Sequence, residues 1–397
     1  MPRFEPFAAV RYSADRVTLG DVVAPPYDVI GPDERAVLEA RSPYNVVHVD
    51  LSRDEGQRSR YEAARCRLQE WIEEGVLVPD ESPGYYAYRM GWRGPDGEPR
   101  QTSGVLGLLA LDSDTTGAVL PHERTMSKPM DDRLRLLRAC RANISPIWGV
   151  SLADGLGPLS QPDGPPLARC TDDDGVHHRL WRITAPAALE AIGAIVASAP
   201  VVIADGHHRY ETALAYRAER RAAEGDAPGP HDLMLAYVTG LADGDLGVGA
   251  IHRLISGLPD GFRPEEAFGP LFEVEPAGAP SEALLERMTA AGALGLVLAG
   301  QTWLMRPRSN VGSPEWVDSE RLEAALGAVP THDVAYHHDV REVLALVDKG
   351  EAQAAVLLRP VTVDDIAAAA RAGRRLPQKT TYFFPKPRTG VVIRFLE

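Results

Sequence analysis

A carboxylate, two imidazoles and a guanidinium crowd into one short stretch, Asp205-Gly206-His207-His208-Arg209. Such a set can grip a polyanion through charge-assisted hydrogen bonds, exchange protons with a substrate, or hold a cation. Asp205 is the candidate to hold Mg²⁺ or to help activate a hydroxyl. His207, His208 and Arg209, with the Gly206 turn, are candidates for gripping phosphate. A polar surface bend is the competing reading, since His-His pairs also occur at His177-His178 and His337-His338.

The flanking residues position this set. Val201-Val202-Ile203 reads as a buried strand, and Asp205-Gly206 as a sharp turn. From His207 onward, Tyr210, Ala213, Leu214 and Ala218 share one helical face. The cluster therefore falls at the carboxyl end of a strand and the amino end of a helix. There, free backbone N–H groups and the helix dipole suit an anion.

Other stretches add candidates. Ala24-Pro25-Pro26-Tyr27-Asp28 is stiffened by its prolines and presents Tyr27 and Asp28 either to a ligand or as structural packing and a cap for a Pro32–Ala40 helix. Arg133, Arg135, Arg138 and Arg141 crowd a helix predicted over 131–142. With Lys128 they form an anion site, or else they pair with Asp131, Asp132 and other surface carboxylates. Lys128 and Arg138 are the phosphate-cradle candidates of this group. Asn143 and Ser145 follow the helix and are candidates for contacting a ligand. A segment echoing the main cluster, Asp174-Gly175-Val176-His177-His178-Arg179, has an intervening valine and no preceding buried strand, and reads as a decoy. The aromatics and lysines of Leu376–Lys386 either fold back over the main cluster or pack as an exposed tail.

The cluster resembles the second box of the ParB/sulfiredoxin-like superfamily, which includes the free serine kinases. In those kinases an Asp-Gly-His-His-Arg turn lies against nucleotide phosphates. The whole chain also resembles a large bacterial and archaeal domain-of-unknown-function family. That resemblance is carried by Ala24-Pro25-Pro26-Tyr27-Asp28-Val29-Ile30, Pro121-His122-Glu123-Arg124-Thr125, Arg141-Ala142-Asn143-Ile144-Ser145-Pro146-Ile147 and residues 204–213. The kinase resemblance implies ATP or another phosphoanhydride as donor, Mg²⁺ as cofactor, and free L-serine or a serine-like metabolite as acceptor. It also implies Glu123 as base, because Pro-His-Glu precedes the turn there too. Asp205→Asn is then expected to abolish transfer and leave the protein folded. The ParB relatives imply an alternative, a nucleotide-hydrolysing switch, and a metal-dependent phosphohydrolase ranks below both.

Composition narrows the field. The chain has 397 residues, 44% hydrophobic and 25% charged, enough for two domains. The expectation is a mixed α/β protein: a ParB/sulfiredoxin-like nucleotide-binding core with insertions over 1–255 and a second α/β domain over 256–397. A net charge of -14 disfavours nucleic acid as a partner, leaving a nucleotide and a small-molecule substrate; a homodimer stays open. Three scattered cysteines form no disulfide framework or zinc site. No apolar run suits a signal peptide or a membrane span, so a cytoplasmic location is expected. Gly-Lys never occurs, which removes the P-loop, and no Gly-x-Gly-x-x-Gly or Gly-x-Ser-x-Gly is present. His207-His208 stand where sulfiredoxin chemistry needs a cysteine.

Overall fold

The computed structural model describes the chain except residues 95–96, 113–116, 124–126, 245–246, 282, 310–311, 314, 330 and 397, and the side chains of 127–129 and 241–244. The chain divides into two compact units. One comprises Met1–Pro121, Thr125–Leu246 and Pro385–Glu397; the other comprises His122–Arg124 and Gly247–Phe384. The architecture is mixed α/β, as the sequence predicts.

In the first unit the apolar runs become a nine-stranded sheet. From one edge, its strands are Val119–Pro121, Val201–Asp205, Ile147–Ser151, Leu233–Gly244, Pro99–Ala110, Tyr85–Arg93, His177–Ile183 and Ala168–Thr171, with Phe4–Glu5 paired onto Pro99–Ala110. Val201–Asp205 runs parallel to Val119–Pro121 and antiparallel to Ile147–Ser151. Burial on both faces explains why it reads as an unbroken apolar run. Tyr85–Arg93 and Pro99–Ala110 form an antiparallel hairpin. Its glycines permit close approach: a Cβ at Gly104 would lie 2.5 Å from the Val238 carbonyl oxygen, and one at Gly107 2.5 Å from the Phe4 ring.

The helix His207–Glu224 buries His207, Tyr210, Thr212, Ala213 and Tyr216. Its buried face therefore runs through Tyr216, while Ala218 is exposed. Tyr210 fixes the helix to the segment that follows the strand Pro99–Ala110, since its hydroxyl donates to the Asp112 carbonyl (2.8 Å) and accepts from the Asp112 N–H (2.9 Å).

Two stretches depart from their local sequence pattern. Residues 45–51 alternate like a strand but form the short helix Val47–Asp50. Asn45 explains this, because its Oδ1 accepts from the Val47 N–H (3.0 Å) and its Nδ2 donates to the Asp21 carbonyl (2.8 Å), turning the chain. Val46, Val47 and Val49 are then all buried, so polarity alternates without alternate exposure. The Gly/Pro-rich stretch 154–175 reads as loop yet contains the helix Leu156–Leu159 and the strand Ala168–Thr171.

The second unit holds a six-stranded antiparallel sheet ordered Phe272–Gly278, Gln301–Pro307, Leu294–Leu298, Ala354–Leu357, His252–Ser256, Asp333–His337. The period of two sorts its side chains. Ala354 and Val356 join one core with Phe268 and Leu322, and Ala355 and Leu357 join the other with Met288 and Val343. Phe272–Gly278 and Asp333–His337 escape a sequence reading because exposed positions interrupt them.

Candidate functional site

Gly206 makes the main cluster possible. It takes φ +91, and a Cβ there would lie 2.9 Å from Ile147 Cγ2 and 3.0 Å from the Arg209 guanidinium. Only glycine meets both demands. The turn lets Arg209 fold back over it, donating from Nη2 to Asp205 Oδ2 at 2.7 Å. Nη1 of Arg209 donates to Ser145 Oγ at 2.6 Å and to the Pro146 carbonyl. Gly206 offers no side-chain cap, so the first N–H groups of an 18-residue helix have none from that position.

The other oxygen of Asp205 is held from the far end of the sequence. Lys386 Nζ lies 2.5 Å from Asp205 Oδ1 and 3.6 Å from Asp28 Oδ2. Burial alone would raise the Asp205 pKa, but Lys386, then Arg209, outweigh it and hold the carboxyl well below the usual range. The same contacts raise Lys386 above an ordinary lysine against the pull of burial.

Tyr27 joins this pair to a second one. The Arg133 guanidinium lies 4.2 Å from the centre of the Tyr27 ring and donates to Asp50 Oδ1 at 2.6 Å and, from Nε, to Asp132 Oδ2 at 2.9 Å. Burial, then Asp28, pushes the Tyr27 phenol up to about 12, so it stays protonated as a donor. Burial also raises the Asp50 pKa in spite of Arg133. Two cavities meet at Tyr27, Asp50, Arg133 and Leu136: one of about 360 Å³ and one of about 60 Å³ that continues past Ser145 and Arg209 to Thr212. The larger is of a size for a small metabolite.

The family model described as "Protein of unknown function (DUF1015)" matches residues 4–333. The chain belongs to that family. No curated protein matches it. Solved structures similar to this DUF1015 protein include a variant of a free serine kinase in complex with AMP, at 11% identity over 69% of this chain and 89% of that one, with TM-score 0.40. A conserved hypothetical protein from Pyrococcus furiosus aligns at 12% identity over 68% and 88%, with TM-score 0.38. SbnI with a C-terminal truncation, from Staphylococcus aureus, aligns at 11% identity over 72% and 85%, with TM-score 0.38.

In the DUF1015 chain, Asp205, Gly206, Arg209, Ser145, Tyr27 and Asp28 come together. His207 is buried in the first helical turn and adjacent His208 is half-buried. Asn143 lines the smaller cavity, but its Oδ1 accepts from the Leu235 N–H (3.1 Å) and from Arg394 (3.3 Å), which is a structural use. Arg138 pairs with Glu219 on the exposed face, its Nε 2.8 Å from the carboxylate, and Arg135 pairs with Asp131. Of the two readings of that arginine row, surface pairing is the one realised for these residues. The Lys128 side chain lies outside the described residues. Glu123 belongs to the second unit, where it bridges to Leu376 beside the buried His122.

Mg²⁺ at Asp205 does not fit the donor set, because both carboxylate oxygens already bond cations. Among the described residues no group of three or more His, Cys, Asp or Glu side chains is placed to hold a metal ion. No described helix is long and apolar enough to cross a membrane. Asp50 was missed as a site residue; the sequence marks Arg133 only as one of an arginine row, and Lys386 only within a run that either folds back over the cluster or packs as a tail, of which Lys386 itself realises the first. Lys386 had a signal, as one of four lysines in the chain and the only one between prolines.

Proposed function

We propose that this protein is a phosphotransferase with an alcohol group as acceptor, moving a phosphoryl group from ATP or another phosphoanhydride to the hydroxyl of free L-serine or a serine-like metabolite. The observation that carries the reading is the Asp205–Arg209 turn, packed at a helix N-terminus with Lys386 against it and a metabolite-sized cavity adjoining through Tyr27. In such transfers, positioning and charge neutralisation supply most of the rate. The helix N-terminus with His207 and His208 would receive the donor phosphates. Arg209 would position Asp205, and Tyr27, Asp28 and Ser145 would face the acceptor.

The acceptor oxygen forms its bond to the terminal phosphorus as the bridging P–O bond breaks. The acceptor proton passes to a carboxylate, and the nucleoside diphosphate leaves. Glu123 is the base that the kinase resemblance offers. With both Asp205 oxygens bonded to cations before donor binds, any Mg²⁺ would arrive on the donor phosphates, as is usual for that ion.

The test is to incubate purified protein with Mg²⁺, ATP, ADP or pyrophosphate, and each hydroxyl amino acid, and to read products by mass spectrometry. A phosphorylated amino acid is expected. Slow nucleotide hydrolysis that no amino acid alters would overturn the reading in favour of a nucleotide switch.

A further inference from the structure

The C-terminal tail is built into the first unit. The Thr389 N–H donates to the Ala24 carbonyl (2.9 Å) and the Ala24 N–H donates back (3.2 Å), tying the tail to the loop that carries Tyr27 and Asp28. The Gly390 N–H donates to the Ile144 carbonyl (2.9 Å), and Arg394–Phe395 pairs with Ala142–Asn143, the segment leading to Ser145. Arg388 donates to Asp172, which accepts from His178 Nε2 at 2.8 Å, and His178 Nδ1 lies 2.8 Å from the Tyr88 hydroxyl. Burial lowers the His178 pKa, so the ring is neutral, donating to Asp172 and accepting from Tyr88. The apparent decoy motif thus anchors the tail. Between these anchors and the cluster stands Pro385-Lys386-Pro387, with both prolines buried and φ fixed at each. Lys386 is held in place by design of the chain, not left at a loose end.

The cations of the cluster differ in how they are held: each guanidinium joins several fixed acceptors through a planar fork, whereas Lys386 carries a compact charge on a flexible stem. Arg209 is engaged by Asp205, Ser145 and Pro146, and Arg133 by Asp50 and Asp132. Among the described residues, Lys386 makes one short contact, to Asp205; Asp28 at 3.6 Å is beyond hydrogen-bond length. An ammonium carries three donors, so Lys386 retains capacity for another oxygen. We propose that Lys386 is a ligand of the donor phosphates, carried to the Asp205 turn by the C-terminal tail and held there by Asp205 until donor binds. This rests on the phosphotransferase reading for the identity of the donor.

The test compares the full-length protein with Lys386→Met and Lys386→Arg, titrated calorimetrically with ADP, inorganic tripolyphosphate and adenosine. Loss of one charge-assisted contact predicts roughly 10- to 100-fold weaker ADP and tripolyphosphate binding in Lys386→Met. Adenosine affinity should stay unchanged, and Lys386→Arg should recover part of the loss. A structural role alone would weaken adenosine and ADP in equal proportion, and that result overturns the assignment, as does unchanged ADP affinity. If Lys386→Met does not fold, the double variant with Asp205→Asn removes both charges and is titrated instead, with the same expected selective loss. Wild-type protein that binds ADP in a Lys386-dependent way but phosphorylates no acceptor refutes the transferase and leaves Lys386 standing. Wild-type protein that binds neither ADP nor tripolyphosphate refutes both.

Discussion

Asp205→Asn tests the cluster most severely, and the structure changes what the substitution should do. From sequence alone it is a silent change to the fold. In the structure, the carboxylate stands between Lys386 at 2.5 Å and Arg209 at 2.7 Å, and its removal leaves both cations without their main counter-charge. Breaking a buried pair by removing one partner costs about 3–5 kcal/mol. Against a typical stability of about 5–15 kcal/mol, that is a large fraction. For a domain of this size it corresponds to a midpoint lowered by roughly 6–20 °C. The pH dependence has a definite sign. Because the folded-state pKa is depressed, the contribution is complete above the unfolded value near ~3.9 and is lost as pH falls through the folded one. The gap between wild type and variant should hold steady from pH 8 to 5 and narrow below about 4. Urea unfolding followed by tryptophan fluorescence reads it, since Trp148 is fully buried in the same sheet. Adding Lys386→Met should return part of the loss by removing one stranded cation. Midpoints for Asp205→Asn and wild type that coincide at pH 7 would refute the ion-pair account.

Gly206→Ala forces a side chain to φ +91 and sets its Cβ against Ile147 and Arg209, so it should cost at least about 1–2 kcal/mol and weaken ADP binding as Arg209 is displaced; thermal melts and ADP titration check it. Burial, then Arg253, lowers the His252 pKa to about 4. The unfolded chain therefore takes up this proton first, and the second unit should lose roughly 3 kcal/mol as pH falls from about 6.5 to 4. His252→Gln should flatten that slope in urea midpoints measured at pH 7, 5.5 and 4.5. Glu123→Gln should cut phosphoryl transfer by roughly 10²–10⁴ with ADP affinity retained; undiminished product formation by mass spectrometry would remove Glu123 as the base.

The strand–turn–helix at Val201–Glu224 was legible because each local signal agreed: β-branched residues, a glycine at positive φ, then a helical face. Tyr27 and Ser145 were legible as loop polar residues next to prolines. The remainder of the site was hidden for physical reasons. Asp50 sits in a valine-rich run whose alternation mimics a strand, and the bonds from the Asn45 side chain to the backbone turn it into a helix. Arg133 looked like its neighbours, because a row of arginines on one helix does not reveal which member is buried. Lys386 lies 181 residues from Asp205; the aromatic- and lysine-rich run before it offered a fold-back over the cluster as one of two readings, but no local pattern names the partner at that range.

Arg209 shows how far residue type alone reaches. A guanidinium near a helix N-terminus suggests phosphate, but its planar fork can satisfy several fixed acceptors together, and here it joins Asp205 to Ser145 and the Pro146 carbonyl. Arg133 does the same for Asp50 and Asp132. A fork tied to two walls of a site cannot swing toward an incoming anion without breaking them. A lysine can, because its charge is compact and its stem flexible. The chain draws 38 of its 42 basic residues from arginine, and Lys386 is the lysine that touches Asp205. The arginines hold the carboxylates in place, and the lysine is the cation free to be shared. Donor phosphate entering near Asp205 would then compete for Lys386 first, leaving the Arg209 frame intact.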